Sequence, residues 1–300
     1  MRQDEFTEEV IKSLQKELGN GYNIEKKTLD GLNDTKKHSI LVARAGSGVF
    51  PCINMGEYYN RHQKGEDFYS LFQTILSECK KISPIRTEDM EGFLCWDSIK
   101  SRIFAKLVNT GKNESMLSDV PNRQFLDLSI VYYVRINASS EEMQGSILVN
   151  IQHMKSWEAD EETLFETAWK NTADANEVMF EDLNAVLARL LNQNIFAANR
   201  LENESRMYIL GSQTGTNGAI QMCNRQMLHK AANAIGSDFW ILPCSIHELI
   251  LVPIYAIEGE AQELAEMVRN VNNMQLKPDE ILSYHVYRYS RDTDILSIEA

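Results

Sequence analysis

The sequence predicts an α+β fold, with largely antiparallel sheets, packed helices and two interleaved subdomains, 1–95 and 96–300. Extended runs are joined by short Gly-, Asn- and Asp-containing turns. Between them lie stretches whose apolar residues recur at i, i+3, i+4 and i+7, and no strict βαβ alternation appears.

In chain order, Phe6, Val10, Ile11, Leu14 and Leu18 fall on one helical face, with Gly19 placed as a C-cap. Extended pieces follow at 22–29 and 38–44 around the turn-forming DGLND, then VFPCINM, and a helix is expected over 55–80 through Phe68, Leu71, Phe72, Ile75 and Leu76. Residues 83–95, with a Pro, a Gly and an acidic cluster, read as a connector. A short helix and a strand occupy 96–109. Strand alternation is cleanest over 125–136, where Leu126, Leu128, Ile130, Tyr132, Val134 and Ile136 share one face and Asp127, Ser129 and Arg135 the other; GSILVN at 145–150 is its expected hairpin partner.

Helices are expected at 160–171 and 177–191, the second with Leu183, Val186, Leu187, Leu190 and Leu191 as a central packing face. A strand at 206–210, a Gly-rich turn, a helix near 224–235, a strand pair at 238–253, a helix near 260–273 and a hairpin near 281–298 complete the chain.

A formal charge of −13 repels phosphate backbones, and Lys and Arg are scattered, so nucleic acid and anionic membrane are excluded as expected partners. The N-terminus opens MRQDEFTEEV without an apolar signal region, and the expected location is the cytoplasm. Pro243, His247, Glu248 and Pro253 break the one apolar stretch near membrane-spanning length. Cys52, Cys79, Cys95, Cys223 and Cys244 lack CxxC spacing, and the six histidines show no i, i+4 pair; reduced thiols, no metal and no cofactor are expected.

The longest apolar run, FWILPCSIHELILVP at 239–253, holds the candidate chemistry. Cys244 or Ser245 as nucleophile with His247 as base, and Glu248 beside it, would suit a hydrolase, but no G-x-S-x-G elbow encloses the serine. Position 251 is Leu where a zinc-protease HExxH needs His. In an extended chain His247 and Glu248 face opposite sides, and a turn at Pro243-Cys244 would set Trp240 opposite His247. The loop GSQTGTNGA at 211–219 offers Gly215, Asn217 and Gly218 as a turn or a backbone anion nest, without the Lys-Ser/Thr pair of a nucleotide loop. Gly46-Ser47-Gly48 meets Pro51 where a dinucleotide fingerprint wants Gly.

Several runs together resemble a bacterial family, domain of unknown function family 5688. They are LVN at 107–109, Asn113, Pro121, DLSIVYY at 127–133, NGA at 217–219, ILPCSIHELILVP at 241–253, MVRNVN at 267–272 and LSYHVY at 282–287. The similarity covers nearly the whole chain and implies no assigned activity, cofactor or catalytic residue. That family's pattern has Ser where this chain has Cys244, which counts against a Cys244 nucleophile. The LP-x-S-I-H-E core is also similar to a second uncharacterised family, domain of unknown function 1444. With no active site completed by any motif, the chain is expected to bind a protein or a small molecule rather than to catalyse a reaction; the alternative is the hydrolase built on Ser245 or Cys244 with His247.

Overall fold

The computed structural model describes residues 1–44, 52–81, 92–137, 144–174, 177–190, 207–243, 245–257 and 260–300. Cys244, the Gly46-Ser47-Gly48 segment and most of the 83–95 connector lie outside the described residues. The fold is α+β, and its sheets are mostly antiparallel. Two compact units divide the chain: residues 1–99 with 135–147, and residues 100–134 with 148–300.

In the first unit, helix α1 (Gln3–Leu18) buries Phe6, Val10 and Leu14 completely. Strands β1 (Tyr22–Asp30) and β2 (Lys36–Arg44) form a hairpin with Asp30 opposite Lys36, and β3 (Cys52–Asn54) adds to the other edge of β2. The helix expected over 55–80 is two helices, α2 (Met55–Gln63) and α3 (Phe68–Lys81). Gly65 takes φ 98° between them, a value that ends one helix, and Asp67 then caps the next by accepting from the Ser70 N–H. Leu71, Phe72, Ile75, Leu76 and Cys79 join the α1 residues in one core. Each such side chain contributes about 1.5–3 kcal/mol by leaving water.

The second unit begins after the short helix α4 (Trp96–Ile99), which belongs to the first.

 Its first strand is β4 (Ile103–Asn109), which pairs with β6 (Leu128–Asn137), and β6 pairs in turn with β5 (Asn122–Phe125). The single strand expected over 125–136 is therefore interrupted at its start. Phe125 faces Leu128, so Leu126 and Asp127 form a two-residue hairpin turn, and Leu126 takes φ 54°. Helix α5 (Glu114–Leu117) lies between β4 and β5, and α6 (Ile151–Trp157) stands in a stretch with no predicted element; β7 (Gln144–Leu148), which pairs with β6, belongs to the first unit up to Ile147. Asn150 caps α6 by accepting from the His153 N–H. Helix α7 (Glu161–Thr172) buries Leu164, Ala168 and Thr172, leaving Phe165 and Trp169 half-buried.

The helix expected over 177–191 begins as strand β8 (Val178–Asp182) and turns into helix α8 (Leu183–Leu190) only where the Asp182 carboxylate accepts from the Asn184 and Ala185 N–H groups. Leu187 is 44% exposed and Leu183 and Val186 are only half-buried, so the described part of this face is not the central packing element its periodicity suggested, while Leu191 lies outside the described residues. An apolar face at helical spacing says that a helix has two sides, not that a partner covers one of them.

The centre is instead a six-stranded antiparallel sheet built from β8, β9 (Tyr208–Ser212), β10 (Phe239–Leu242), β11 (Glu248–Pro253), β12 (Tyr287–Ser290) and β13 (Ile295–Ile298). Its spatial order is β13-β12-β10-β11-β9-β8. Phe239, Ile241, Leu249, Leu251, Val252 and Tyr287 are completely buried in it, as the continuous apolar run requires. Helices α9 (Arg225–Ile235), capped by Asn224 and ended by Gly236 at φ 86°, and α10 (Ala261–Gln275) complete the unit. No helix among the described residues is long and apolar enough to cross a membrane.

Candidate functional site

Pairing of β9 with β11 sets Gly211 opposite Glu248, so the loop leaving β9 lies beside the loop entering β11. The sequence candidates Gly215, Asn217, Gly218, Ser245, His247 and Glu248 are brought together by that one register. Gly218 starts a 3-10 turn, Gly218–Cys223, so close to β9 that a Cβ there would stand 2.2 Å from the Ser212 N and 2.5 Å from the Gly211 carbonyl carbon. Only glycine fits. Gly215 and Asn217 take φ 68° and 54°, which folds the loop back on itself.

The loop spends its N–H groups within the protein. Gly215 N–H donates to the Ser212 carbonyl at 2.9 Å, Ala219 N–H to the Ile246 carbonyl at 3.3 Å, and Asn217 N–H to His247 Nδ1 at 3.2 Å. A backbone N–H can only donate, so Nδ1 accepts and the neutral ring carries its proton on Nε2. Burial pushes the His247 imidazole below its ordinary value, against the opposing pull of Glu280 and Glu248. Ser245 is buried, and its Oγ accepts from the His247 backbone N–H at 3.0 Å.

Trp240 faces Val252 rather than His247, because Leu242 pairs with Ile250 and residues 243–247 form the whole connection. His247 thus precedes the strand that a Pro243-Cys244 turn would have placed it in. Glu248 is exposed at the start of β11, and its carboxylate makes no hydrogen bond or ion pair among the described residues. The two side chains that sequence adjacency suggests as an acid–base pair are not hydrogen-bonded to each other, and Glu248 acts on the His247 ring only through its charge.

A second Ser-x-His, at Ser283-Tyr284-His285, forms a cluster that the sequence reading did not single out. Ser283 Oγ accepts from the His285 N–H at 3.0 Å and donates to Asp127 Oδ2 at 3.2 Å. His285 Nδ1 lies 2.9 Å from the same Oδ2, and the Tyr287 hydroxyl donates to Oδ1 at 2.8 Å. Asp127 stands in the two-residue turn between β5 and β6, whereas strand alternation sets it on the face opposite Leu126 and Leu128. The segment before β12 is held by two amides: Asn109 Nδ2 donates to the Leu282 carbonyl and buried Asn272 Nδ2 to the Ser283 carbonyl, each at 3.0 Å. Burial raises the Tyr287 phenol above its ordinary value, which keeps its proton available to Asp127. The visible signal was the repeated Ser-x-His, together with a polar residue interrupting an apolar strand at 127.

Among the described residues no three His, Cys, Asp or Glu side chains gather into a metal-holding group. Cys52 and Cys95 are exposed thiols, and Cys79 is buried, which pushes it up to about 12. These features define an α+β protein with two serine-anchored histidine turns, one closed on backbone and one on a carboxylate. The chain belongs to a family of unknown function, DUF5688, whose model matches residues 3–291. Neither a curated protein nor a solved structure matches the chain.

Proposed function

We propose that the chain acts by binding a protein or a small ligand, and that the 245–248 segment is a structural turn rather than a hydrolytic centre. The observation that carries this reading is the Asn217 N–H to His247 Nδ1 hydrogen bond. A general base must offer its lone pair to the proton it removes, and here the lone pair of the neutral ring is already engaged. Ser245 Oγ, for its part, is turned to the His247 backbone rather than to the ring of that residue. A formal charge of −13 argues against nucleic acid as the partner, and the exposed thiols of Cys52 and Cys95 suit a reducing compartment such as the cytoplasm.

Hydrolysis of p-nitrophenyl acetate and of a p-nitroanilide peptide tests the reading. The expected result is the same background rate for the wild type, Ser245→Ala and His247→Gln. Turnover that disappears in both variants while their circular dichroism stays native would establish the hydrolase instead.

A further inference from the structure

The Ser283-Tyr284-His285 turn has more construction behind it than holding one surface loop requires. Its Asp127 carboxylate receives hydrogen bonds from a serine hydroxyl and a tyrosine hydroxyl on side chains 1% and 0% exposed. That arrangement fixes the carboxylate. A carboxylate accepts but does not donate, so the contact at 2.9 Å places the His285 proton on Nδ1 and leaves Nε2 with its lone pair. The His285 side chain is 48% exposed, so the oriented ring belongs to the surface. Leu126, the residue before Asp127, holds φ 54°, a strained value for a branched side chain in the turn that presents this carboxylate.

Tyr284, the neighbour of His285, gathers positive charge. Lys112 Nζ lies 4.6 Å from its ring centroid and Arg269 Cζ 5.7 Å, while its hydroxyl donates to Asn273 Oδ1 at 2.8 Å. Lys112 comes from the loop after β4 and Arg269 from α10, and neither makes an ion pair among the described residues. Two cations converging on one ring without a carboxylate partner are notable in a chain of net charge −13.

We propose that this turn is a ligand site for a small oxyanion carrying its own O–H group, its charge met by Lys112 and Arg269 and its hydroxyl donating to His285 Nε2. The proposal rests on the binding reading above and names the ligand class. An oxyanion without a hydrogen would turn an oxygen lone pair toward that of Nε2 and leave the nitrogen unsatisfied. The site should therefore distinguish hydrogenphosphate from sulfate, which match in size and charge at pH 8, and glycolate from acetate. In either pair the lost charge-assisted hydrogen bond corresponds to a preference of about tenfold or more.

Proton–nitrogen NMR of the labelled full chain, titrated at pH 8 and matched ionic strength with each of the four sodium salts, makes the comparison. The expected result is a saturable shift at Tyr284 and His285 that favours hydrogenphosphate over sulfate or glycolate over acetate, the winning pair identifying the ligand as a phosphate or a carboxylate. Lys112→Ala and Arg269→Ala should weaken both members of that pair. His285→Phe should abolish the preference. Absence of saturable binding by all four, equal binding within both pairs, or a preference that survives His285→Phe in a natively folded protein would overturn the proposal. Such a failure leaves the reading of the 245–248 turn standing, because that reading falls only to hydrolysis dependent on Ser245 and His247.

Discussion

Ser245-Ile246-His247 and Ser283-Tyr284-His285 share a local turn and differ in what the rings do. In both, a buried serine hydroxyl accepts from the backbone N–H of the histidine two residues later, at 3.0 Å. The first ring then accepts from a backbone N–H through Nδ1, and the second presents its Nδ1 to a carboxylate. Opposite tautomers follow from the same three-residue pattern, with opposite consequences at Nε2. The lesson is that chemistry is assigned by the group across from the ring, contributed in one case by a loop 30 residues away and in the other by a turn 158 residues away.

The largest expected effect breaks the closed turn and spares the open one. Gly218→Ala drives a methyl group into the backbone of Gly211 and Ser212, and should cost about 3 kcal/mol or more. Urea denaturation reads it; a loss below 1 kcal/mol, roughly the noise of a surface substitution, would mean the loop can move off β9. Next comes Asp127→Ala, which deprives the buried hydroxyls of Ser283 and Tyr287 of their acceptor and should cost about 2–3 kcal/mol. The same denaturation in a Ser245→Ala background should give an additive loss, because the two turns share no hydrogen-bond partner among the described residues.

The smallest effect sharpens the comparison through pH. His247 has a folded value below its unfolded one of 6.5, so the unfolded chain takes up the proton first as pH falls. Its contribution to stability is complete above 6.5 and declines as pH drops from there toward the lower folded value. Replacing His247 by Gln should flatten that part of the stability profile. An unchanged slope in the variant would show that the ring is not held neutral by its surroundings.

Much of the fold could be read from single residues, and the limits were physical. Phe6, Val10 and Leu14 are buried where helical spacing put them, and the apolar run at 239–253 is the centre of a sheet. Periodicity failed where one residue ended an element: Gly65 divides a helix, and Leu126 in a left-handed conformation turns an alternating run into a hairpin. That second failure also concealed the Asp127 cluster, since a strand would have set Asp127 on the face opposite Leu126 and Leu128. For the candidate site, the 211–219 loop and the 245–248 segment were both visible as unusual, and the register between β9 and β11 joined them. What Asn217 gives to His247 is a backbone N–H, and no side-chain pattern encodes a backbone donor.

The tautomers of the two histidines test the central claim most directly. Long-range proton–nitrogen NMR of the ring nitrogens at pH 8 should show His247 protonated on Nε2 and His285 protonated on Nδ1, with the His285 assignment lost in Asp127→Ala. Both rings in the same tautomer, or His247 carrying its proton on Nδ1, would contradict the account.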